Sequence, residues 1–540
     1  MTLYAYQRTS CGSRFDPALI HAYAPKVMSI RLSPLFTDLY QLTMAQAYFA
    51  SGKHQDRAVF EMFFRRCPFG GEYAVLAGFD LIRDIINNFY FEEDDISYLK
   101  TLPGFTQANP LFFDELRKLN LSDLEIRAIP EGSLVFAKEP LLQVKGPLLK
   151  AQLLESALLN AVNFSTLIAT YARRIRNIAG ERQLVEFGMR RAQGPNGAMT
   201  ATRASYLGGF DATSNVLAGK SLDIPVVGTM AHSFVQSFSS LEEEHFYWRG
   251  ENRKQEWLEI AAEDGRSTNA GEWAAFMAYA QTFPDSSLLL IDTYDTLNSG
   301  LINAIRVFKM LKRRGHHPLG IRLDSGDLVY LSQQARQMLD AAGFQNAKIF
   351  ASNELDERVI ESIQEQGSKI NAYGVGTHLV TAFDQPALGG VYKLVELNGK
   401  PRMKISQQTE KLVIPSQKEI YRLHGSDGSY LLDFLTSSHE AAPQSGQELL
   451  ALHTSDPFKR VHVVPSGLEP LLQPLFQQGR WLDLRDLREK RRQSLESMRF
   501  LRSDVWRIHN PAPYKVSVSE SLSLLMKDLY QRENPPAQIR

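Results

Sequence analysis

A histidine flanked by hydroxyl residues, Thr229-Met230-Ala231-His232-Ser233, follows a short apolar run, Ile224-Pro225-Val226-Val227, that breaks at Gly228. An imidazole so placed can act as a general base or accept a phosphoryl group as a nucleophile. A carboxylate such as Asp292 could fix its tautomer and raise its basicity. Upstream, the run Leu184-Val185-Glu186-Phe187 turns at Gly188 into Arg190 and Arg191, then into a polar loop through Gly194, Asn196 and Gly197. Guanidinium groups held at such a turn suit phosphate or carboxylate. Downstream, Arg322 leads into Asp324-Ser325-Gly326-Asp327 ahead of a helical pattern. That segment can simply cap the helix. It can also cradle an anion at the helix N-terminus while an acidic side chain holds ribose hydroxyls or a hydrated Mg²⁺. Ser352-Asn353 and Gly374-Val375-Gly376-Thr377 are further polar or glycine-containing ends of apolar runs.

These groups work together only if the chain gathers the ends of their strands. The strand candidates are Leu184 to Phe187, Val226 to Gly228, Leu288 to Ile291, Leu319 to Leu323, Ile349 to Ala351 and Ala372 to Val375, with amphipathic helices between most of them. Such alternation predicts parallel βα units. Arg190, Arg191, His232, Asp292 with Asp295, Arg322 with Asp324, Ser352 with Asn353, and Gly376 with Thr377 fall at or just after the C-terminal ends. A (β/α) barrel collects its βα loops at that face, whereas a doubly wound sheet does so only at its switch point. The polar ends therefore favour a barrel.

Four regions are expected: an irregular N-terminal extension over 1–30, a mixed α+β part over 31–150, the α/β barrel over 151–390, and a β-containing and helical segment over 391–540 returning to the smaller domain. In the second, Ser33 to Ala50 has helical spacing, through Leu35, Leu39, Leu42, Met44 and Tyr48, with Thr37 and Asp38 as cap candidates. Ala58 to Arg65 reads as a strand, Val75 to Phe89 as a helix, and Leu124 to Lys150 as a small antiparallel sheet. A long helix runs from Leu148 to about Gly180. Beyond Gly389, β-like runs at Val391 to Leu397 and Leu412 to Ile414 precede a loop-rich, charged stretch. Trp481 to Met498 reads as an arginine-rich helix whose basic residues form a solvated face.

Lys and Arg number 60 against 60 Asp and Glu, so no global field points to nucleic acid or an anionic membrane. An anionic ligand must be met by local groups. Two cysteines, Cys11 and Cys67, cannot build a disulfide framework, and a cytoplasmic setting is expected. No apolar run is long enough to cross a membrane as a helix. Residues 1–27 lack the apolar core of a signal peptide and read as an extension or an upstream start, with Met28 as an alternative first residue.

The blocks Thr37-Asp38-Leu39-Tyr40-Gln41-Leu42-Thr43-Met44, Glu186-Phe187-Gly188-Met189-Arg190-Arg191-Ala192-Gln193-Gly194-Pro195, Gly228-Thr229-Met230-Ala231-His232-Ser233, Arg322-Leu323-Asp324-Ser325-Gly326-Asp327-Leu328 and Gly374-Val375-Gly376-Thr377, in this order, resemble the nicotinate phosphoribosyltransferase family. The resemblance spans about Ser33 to Leu397. It implies the type II phosphoribosyltransferase fold, an irregular (β/α) barrel with a smaller mixed α+β domain from the N-terminal part. It also implies ATP-assisted transfer of 5-phosphoribosyl from phosphoribosyl pyrophosphate to nicotinate, giving nicotinate mononucleotide for NAD salvage.

By that resemblance His232 is the histidine phosphorylated by ATP, the co-substrate, and Asp292 is its orienting carboxylate. Tyr40 and Phe187 stack on the pyridine ring, and Thr229 and Arg322 hold nicotinate. Arg190, Asp324, Ser352, Asn353, Gly376 and Thr377 address phosphoribosyl pyrophosphate, with Mg²⁺ on the pyrophosphate. A homodimer with a shared active site is implied, with Tyr40 acting in trans. Three alternatives stay open: a nicotinamide-specific relative, a barrel isomerase or aldolase using His232 as base, and a non-catalytic metabolite sensor. The Arg190-Arg191 pair favours a carboxylate-bearing base. The run before Asp292 is superficially similar to the ribose-phosphate loop of the other phosphoribosyltransferase class, but it lacks that loop's adjacent acidic pair and Thr-Gly ending.

Overall fold

The computed structural model describes residues 32–405, 412–456 and 458–533; the expected extension over 1–30 lies outside them. Six short parallel strands make the sheet that carries the polar ends: β1 (Gln183–Glu186), β2 (Ala212–Thr213), β3 (Leu288–Leu290), β4 (Gly320–Leu323), β5 (Lys348–Ala351) and β6 (Ala372–Val375), in the order β3-β4-β5-β6-β1-β2. Side chains alternate between the two faces of a strand. Val185, Ala212, Leu288, Phe350 and Ala372 form one compact cluster, while Leu184, Leu289, Ile321, Ile349 and Tyr373 join the large core. Burial on both faces explains why these strands read as unbroken apolar runs.

The expected strand Val226 to Gly228 is not formed. Val226 makes a single parallel bridge to Thr213, flanked by Thr213 N donating to Pro225 O (3.0 Å) and Val227 N donating to Thr213 O (2.9 Å). Proline lacks the N–H a ladder needs, and Val226 is exposed. The chain then approaches β3 through a side chain, the Thr229 hydroxyl donating to Leu288 O. The strand absent from the sequence reading, β2, is two residues of small side chain after a glycine pair, too short to show a period.

Around this sheet lie α1 (Glu155–Ala179), α2 (Gly194–Gly208), α3 (His232–Gln236) and α4 (Leu487–Ser497) among other helices. The expected helix at 148–180 is therefore broken once, with a first piece at Leu148–Leu153. The helix expected from Val75 starts later, at Phe79, because Gly78 has φ 111° and packs on α1, where a β-carbon would fall 3.0 Å from the Ala161 carbonyl carbon. The helix expected from Trp481 starts at Leu487, capped by Asp486, and Trp481 lies in a strand. It is not only a solvated face: Lys490 reaches Glu131 at 3.1 Å and Arg491 reaches Asp211 at 2.9 Å, tying α4 to its neighbours.

The second sheet has seven strands in the order 400–401, 390–397, 57–64, 142–147, 125–128, 473–477, 480–481. It joins early, middle and late parts of the chain by antiparallel pairing. The charged stretch expected to be loop-rich instead builds a six-stranded sheet from Lys418 to Val518. Leu412 to Ile414 is not a strand. A buried ion pair joins the two sheets, Lys418 with Glu61 (2.6 Å), and another, Arg422 with Asp433 (2.6 Å), links paired strands within the six-stranded one.

Candidate active site

At the C-terminal ends of the barrel strands lies a cavity of about 500 Å³, a size that suits a small organic ligand. Its wall is built by strand parity. Leu290 pairs with Arg322 across β3 and β4, and Gly374 pairs with Val185 across β6 and β1. Residues in step with these, Phe187 beyond β1, Asp324 beyond β4 and Ser352 beyond β5, also line the cavity.

Arg322 is held from two sides. Its Nε donates to Ser352 Oγ (2.8 Å), and a terminal nitrogen donates to Asp324 Oδ1 (2.8 Å). Ser352 Oγ also donates to Asp324 Oδ1, closing a triangle. The guanidinium carbon lies 5.5 Å from the centre of the Phe187 ring, within cation–π range. Arg190 and Arg191 are exposed and line the same cavity. No carboxylate pairs with either among the described residues. Beneath their turn, buried Glu186 takes hydrogen bonds from Gly188 N, Thr202 Oγ1 (2.9 Å) and Thr213 Oγ1 (2.6 Å). That carboxylate ties the turn at Gly188, the middle of α2 at Thr202 and the end of β2 at Thr213 together.

His232 opens α3 and faces the cavity. Its Nδ1 lies 3.1 Å from Thr293 Oγ1, and its Nε2 lies 3.8 Å from Asp324 Oδ2. Asp292 is not its partner, contrary to the sequence expectation. One oxygen of Asp292 accepts from Asp324 N (2.8 Å) and from Ser325 Oγ (2.6 Å), so the carboxylate holds the loop after β4. The strand ends at Leu290 and the next turn directs residue 293, not 292, toward the imidazole.

Phe187, Arg190, Thr229, His232, Arg322, Asp324, Ser352, Asn353, Gly376 and Thr377 all line this one cavity. Tyr40 does not. It sits in the helix Leu39–Ala50, 49% exposed, and its phenol is pushed up by burial and by the charge of Glu155. The helix cap expected at Asp38 is also different: its carboxylate accepts from Ser156 Oγ at 2.5 Å and makes no cap bond.

Arg191 lines the cavity beside Arg190, as do Ser214 and Glu354, to which the sequence motifs did not point. Glu354 follows Ser352-Asn353 directly, and that adjacency was a usable signal. Asn353 (φ 93°) and Glu354 (φ 36°) both lie in left-handed backbone, a sharp turn that faces both toward the ligand space. Ser214 follows β2, which had no legible pattern.

Comparison with known proteins agrees with this geometry. The nicotinate phosphoribosyltransferase family profile matches residues 182–425, with the family's N-terminal domain at 35–163 and C-terminal domain at 417–526. Nicotinate phosphoribosyltransferase 2 of Arabidopsis thaliana is 43% identical over 543 residues, covering 94% of this chain and 96% of that one. The Homo sapiens nicotinate phosphoribosyltransferase is 44% identical over 528 residues, covering 93% and 97%. The crystal structure of human nicotinic acid phosphoribosyltransferase superposes with a TM-score of 0.81 at 41% identity, covering 91% of this chain and 99% of that one. A nicotinate-nucleotide pyrophosphorylase from Pyrococcus furiosus, 21% identical with a TM-score of 0.58 over 86% and 95% of the two chains, shares the fold. With the strand-end cavity, the spacing of its motifs and nearly full-length relatives all in agreement, this chain belongs to the nicotinate phosphoribosyltransferase family.

Proposed function

We propose that this chain transfers the 5-phosphoribosyl group of phosphoribosyl pyrophosphate to the ring nitrogen of nicotinate, releasing pyrophosphate and forming nicotinate mononucleotide for NAD salvage. The observation that carries the reading is the gathering of Arg190, Arg191, Arg322 and His232 around one cavity. Cleavage of the bond from ribose C1 to pyrophosphate leaves positive charge on the sugar and negative charge on the leaving group. Cations already in position lower that barrier without reorganising, and a fixed geometry brings the base nitrogen to the carbon.

Arg190 and Arg191, unpaired with acids among the described residues, are the groups available to phosphate. Phe187 offers an aromatic face to the pyridine ring, and Arg322 beyond it is a fixed cation for the carboxylate. Thr229 has committed its proton to Leu288 O, so it meets nicotinate as an acceptor or through its backbone. Asp324, Ser352, Asn353, Gly376 and Thr377 complete the phosphoribosyl pyrophosphate side. Tyr40, exposed and away from the cavity, fits a role in the partner's site of a homodimer.

Mg²⁺ neutralises pyrophosphate charge when bound. Among the described residues no group of three or more His, Cys, Asp or Glu side chains forms a metal cage. Asp324 with substrate phosphates suits the usual Mg²⁺ mode of one or two carboxylates plus phosphate and water. ATP is the co-substrate that phosphorylates His232. A phosphoryl group there changes local charge and hydrogen bonding, and so couples ATP hydrolysis to substrate affinity. The setting is cytoplasmic, a reading supported by the two cysteines of the sequence; no helix of the described residues is long and apolar enough to cross a membrane.

The test is pyrophosphate release with nicotinate, phosphoribosyl pyrophosphate and Mg²⁺, with and without ATP, beside a nicotinamide control. Nicotinate-dependent release stimulated by ATP is expected. Release with neither base overturns the reading, and a preference for nicotinamide transfers it to the amide-specific alternative. His232→Ala removes the ATP stimulation; full retention would exclude the phosphohistidine.

A further inference from the structure

We propose that Thr293 is the positioning residue for His232: its hydroxyl holds Nδ1, and Nε2 is thereby the nitrogen presented as phosphoryl acceptor. The proposal rests on the reading of His232 as the phosphorylated residue. Thr293 Oγ1 lies 3.1 Å from Nδ1, a hydrogen-bond distance. Nε2 lies 3.8 Å from Asp324 Oδ2, beyond that range, and faces a residue that also lines the cavity. The other oxygen of Asp324 is occupied by Arg322 and Ser352. Nδ1 is therefore the engaged nitrogen and Nε2 the open one.

Two adjacent residues divide the work at this strand end. Asp292 secures the loop that carries Asp324 and Ser325, and Thr293 secures the imidazole. A hydroxyl suits that place because it can accept as well as donate, and its β-branch restricts the side chain. It orients the ring without placing a further negative charge beside the incoming phosphate. In the transfer, the Nε2 lone pair forms a bond to the γ-phosphorus of ATP. The bond from that phosphorus to the β,γ-bridging oxygen breaks, and ADP leaves with the electron pair. The proton stays on Nδ1 and is donated to Thr293 Oγ1.

The experiment compares wild type, Thr293→Ser and Thr293→Val after incubation with ATP and Mg²⁺. The attached nitrogen is identified by ³¹P NMR in alkaline urea, the initial phosphorylation rate is measured, and nicotinate-dependent pyrophosphate release is followed in parallel. Circular dichroism melting verifies that each variant folds. The phosphoryl group is expected on Nε2. Loss of one orienting hydrogen bond in Thr293→Val slows labelling by about 10-fold or more, and Thr293→Ser stays within about 3-fold of wild type. A phosphoryl group on Nδ1, wild-type labelling in Thr293→Val, or equal losses in the two variants overturns the assignment. Protein that releases pyrophosphate with nicotinate but carries no phosphoryl group on His232 also overturns it, while leaving the transferase reading intact. An Nε2-linked, serine-rescued phosphoryl group without pyrophosphate release sustains the Thr293 assignment and overturns the transferase reading.

Discussion

The ring of Phe187 lies directly against Gly374, so close that a β-carbon at 374 would fall 2.5 Å from Phe187 Cε2. Phe187 directly follows β1, and Gly374 lies in its parallel neighbour β6. The missing side chain on one makes room for the aromatic face of the other. Gly374→Ala must therefore rotate or displace Phe187, a shift that overpacking of a rigid site makes costly by about 1–3 kcal/mol. The expected result is a rise in KM for nicotinate of about 5- to 100-fold in steady-state kinetics. An unchanged KM would separate Phe187 from the base-binding site.

Arg190 and Arg191 are exposed and paired with no acid among the described residues. Replacing either with alanine removes charge-assisted bonds to phosphate worth about 1.5–3 kcal/mol. The KM for phosphoribosyl pyrophosphate rises by about 10- to 100-fold, with the thermal midpoint nearly unchanged because no native pair is broken. A large drop in melting temperature would instead reveal a structural role.

Asp292 acts on the loop after β4, and two substitutions separate that role from direct action on His232. In Asp292→Asn the amide oxygen can still accept from Asp324 N and Ser325 Oγ, so activity is largely kept. In Asp292→Ala both bonds are lost, at about 1–3 kcal/mol, and the rate falls by about 10-fold or more. Equal losses in the two variants would show that the charge itself is needed.

Glu131 anchors the C-terminal half of α2, through Arg203, and the first turn of α4, through Lys490, to the backbone at Gly78 and Phe79. Burial alone would push its carboxyl up, but Arg203 at 2.7 and 2.8 Å, Lys490 at 3.1 Å and the amides of Gly78 and Phe79 hold it well below the usual carboxylate range. Its folded value is depressed, so its stabilisation is present above the unfolded carboxylate pKa and is lost as pH falls toward the folded one. Glu131→Gln leaves buried Arg203 and Lys490 with only Asp80 at 3.1 Å and Asp483 at 3.5 Å as acidic partners, and costs about 3 kcal/mol near pH 7. Urea midpoints of wild type and variant should converge as pH falls below about 4. A gap independent of pH would contradict the ion-pair account.

Tyr40 provides a test of the proposed homodimer with a shared site. The Tyr40→Ala and His232→Ala variants are each expected to be impaired in ATP-stimulated turnover. Co-refolding the two, so that subunits exchange, should restore turnover in mixed dimers, where one site regains both residues. No recovery despite verified subunit exchange would place Tyr40 outside the partner's site.

Most of the cavity was legible in the sequence because it follows from local rules. A parallel strand buried on both faces reads as a short apolar run, and the first polar residue after it lies on the loop at the strand's C-terminal end. That is how Arg190, Ser352 and Thr377 could be placed at one end of a barrel, with Arg322 near the end of β4 itself; His232 was placed there from the run Val226 to Gly228, which makes only a single bridge to Thr213. The local rules failed where the signal was too short or was not local. Ala212 and Thr213 make a strand by pairing with β1, not by pattern. Lys418 to Val518 folds as a sheet because distant segments pair, including the parallel match of Asp433 to Val516.

The sequence by itself determined which chemical groups stand at the strand ends and that the ends are alike in direction. The tertiary structure decided which of them touch. Asp292 and Thr293 are one residue apart, and the turn after β3 sends the carboxylate to Ser325 and the hydroxyl to His232. Nothing in residue type or spacing distinguishes those two outcomes, because a one-residue difference in a turn redirects a side chain entirely. Likewise Gly374 gains its meaning only from the aromatic ring on the adjacent strand, a contact between residues far apart in the chain that parallel register alone creates.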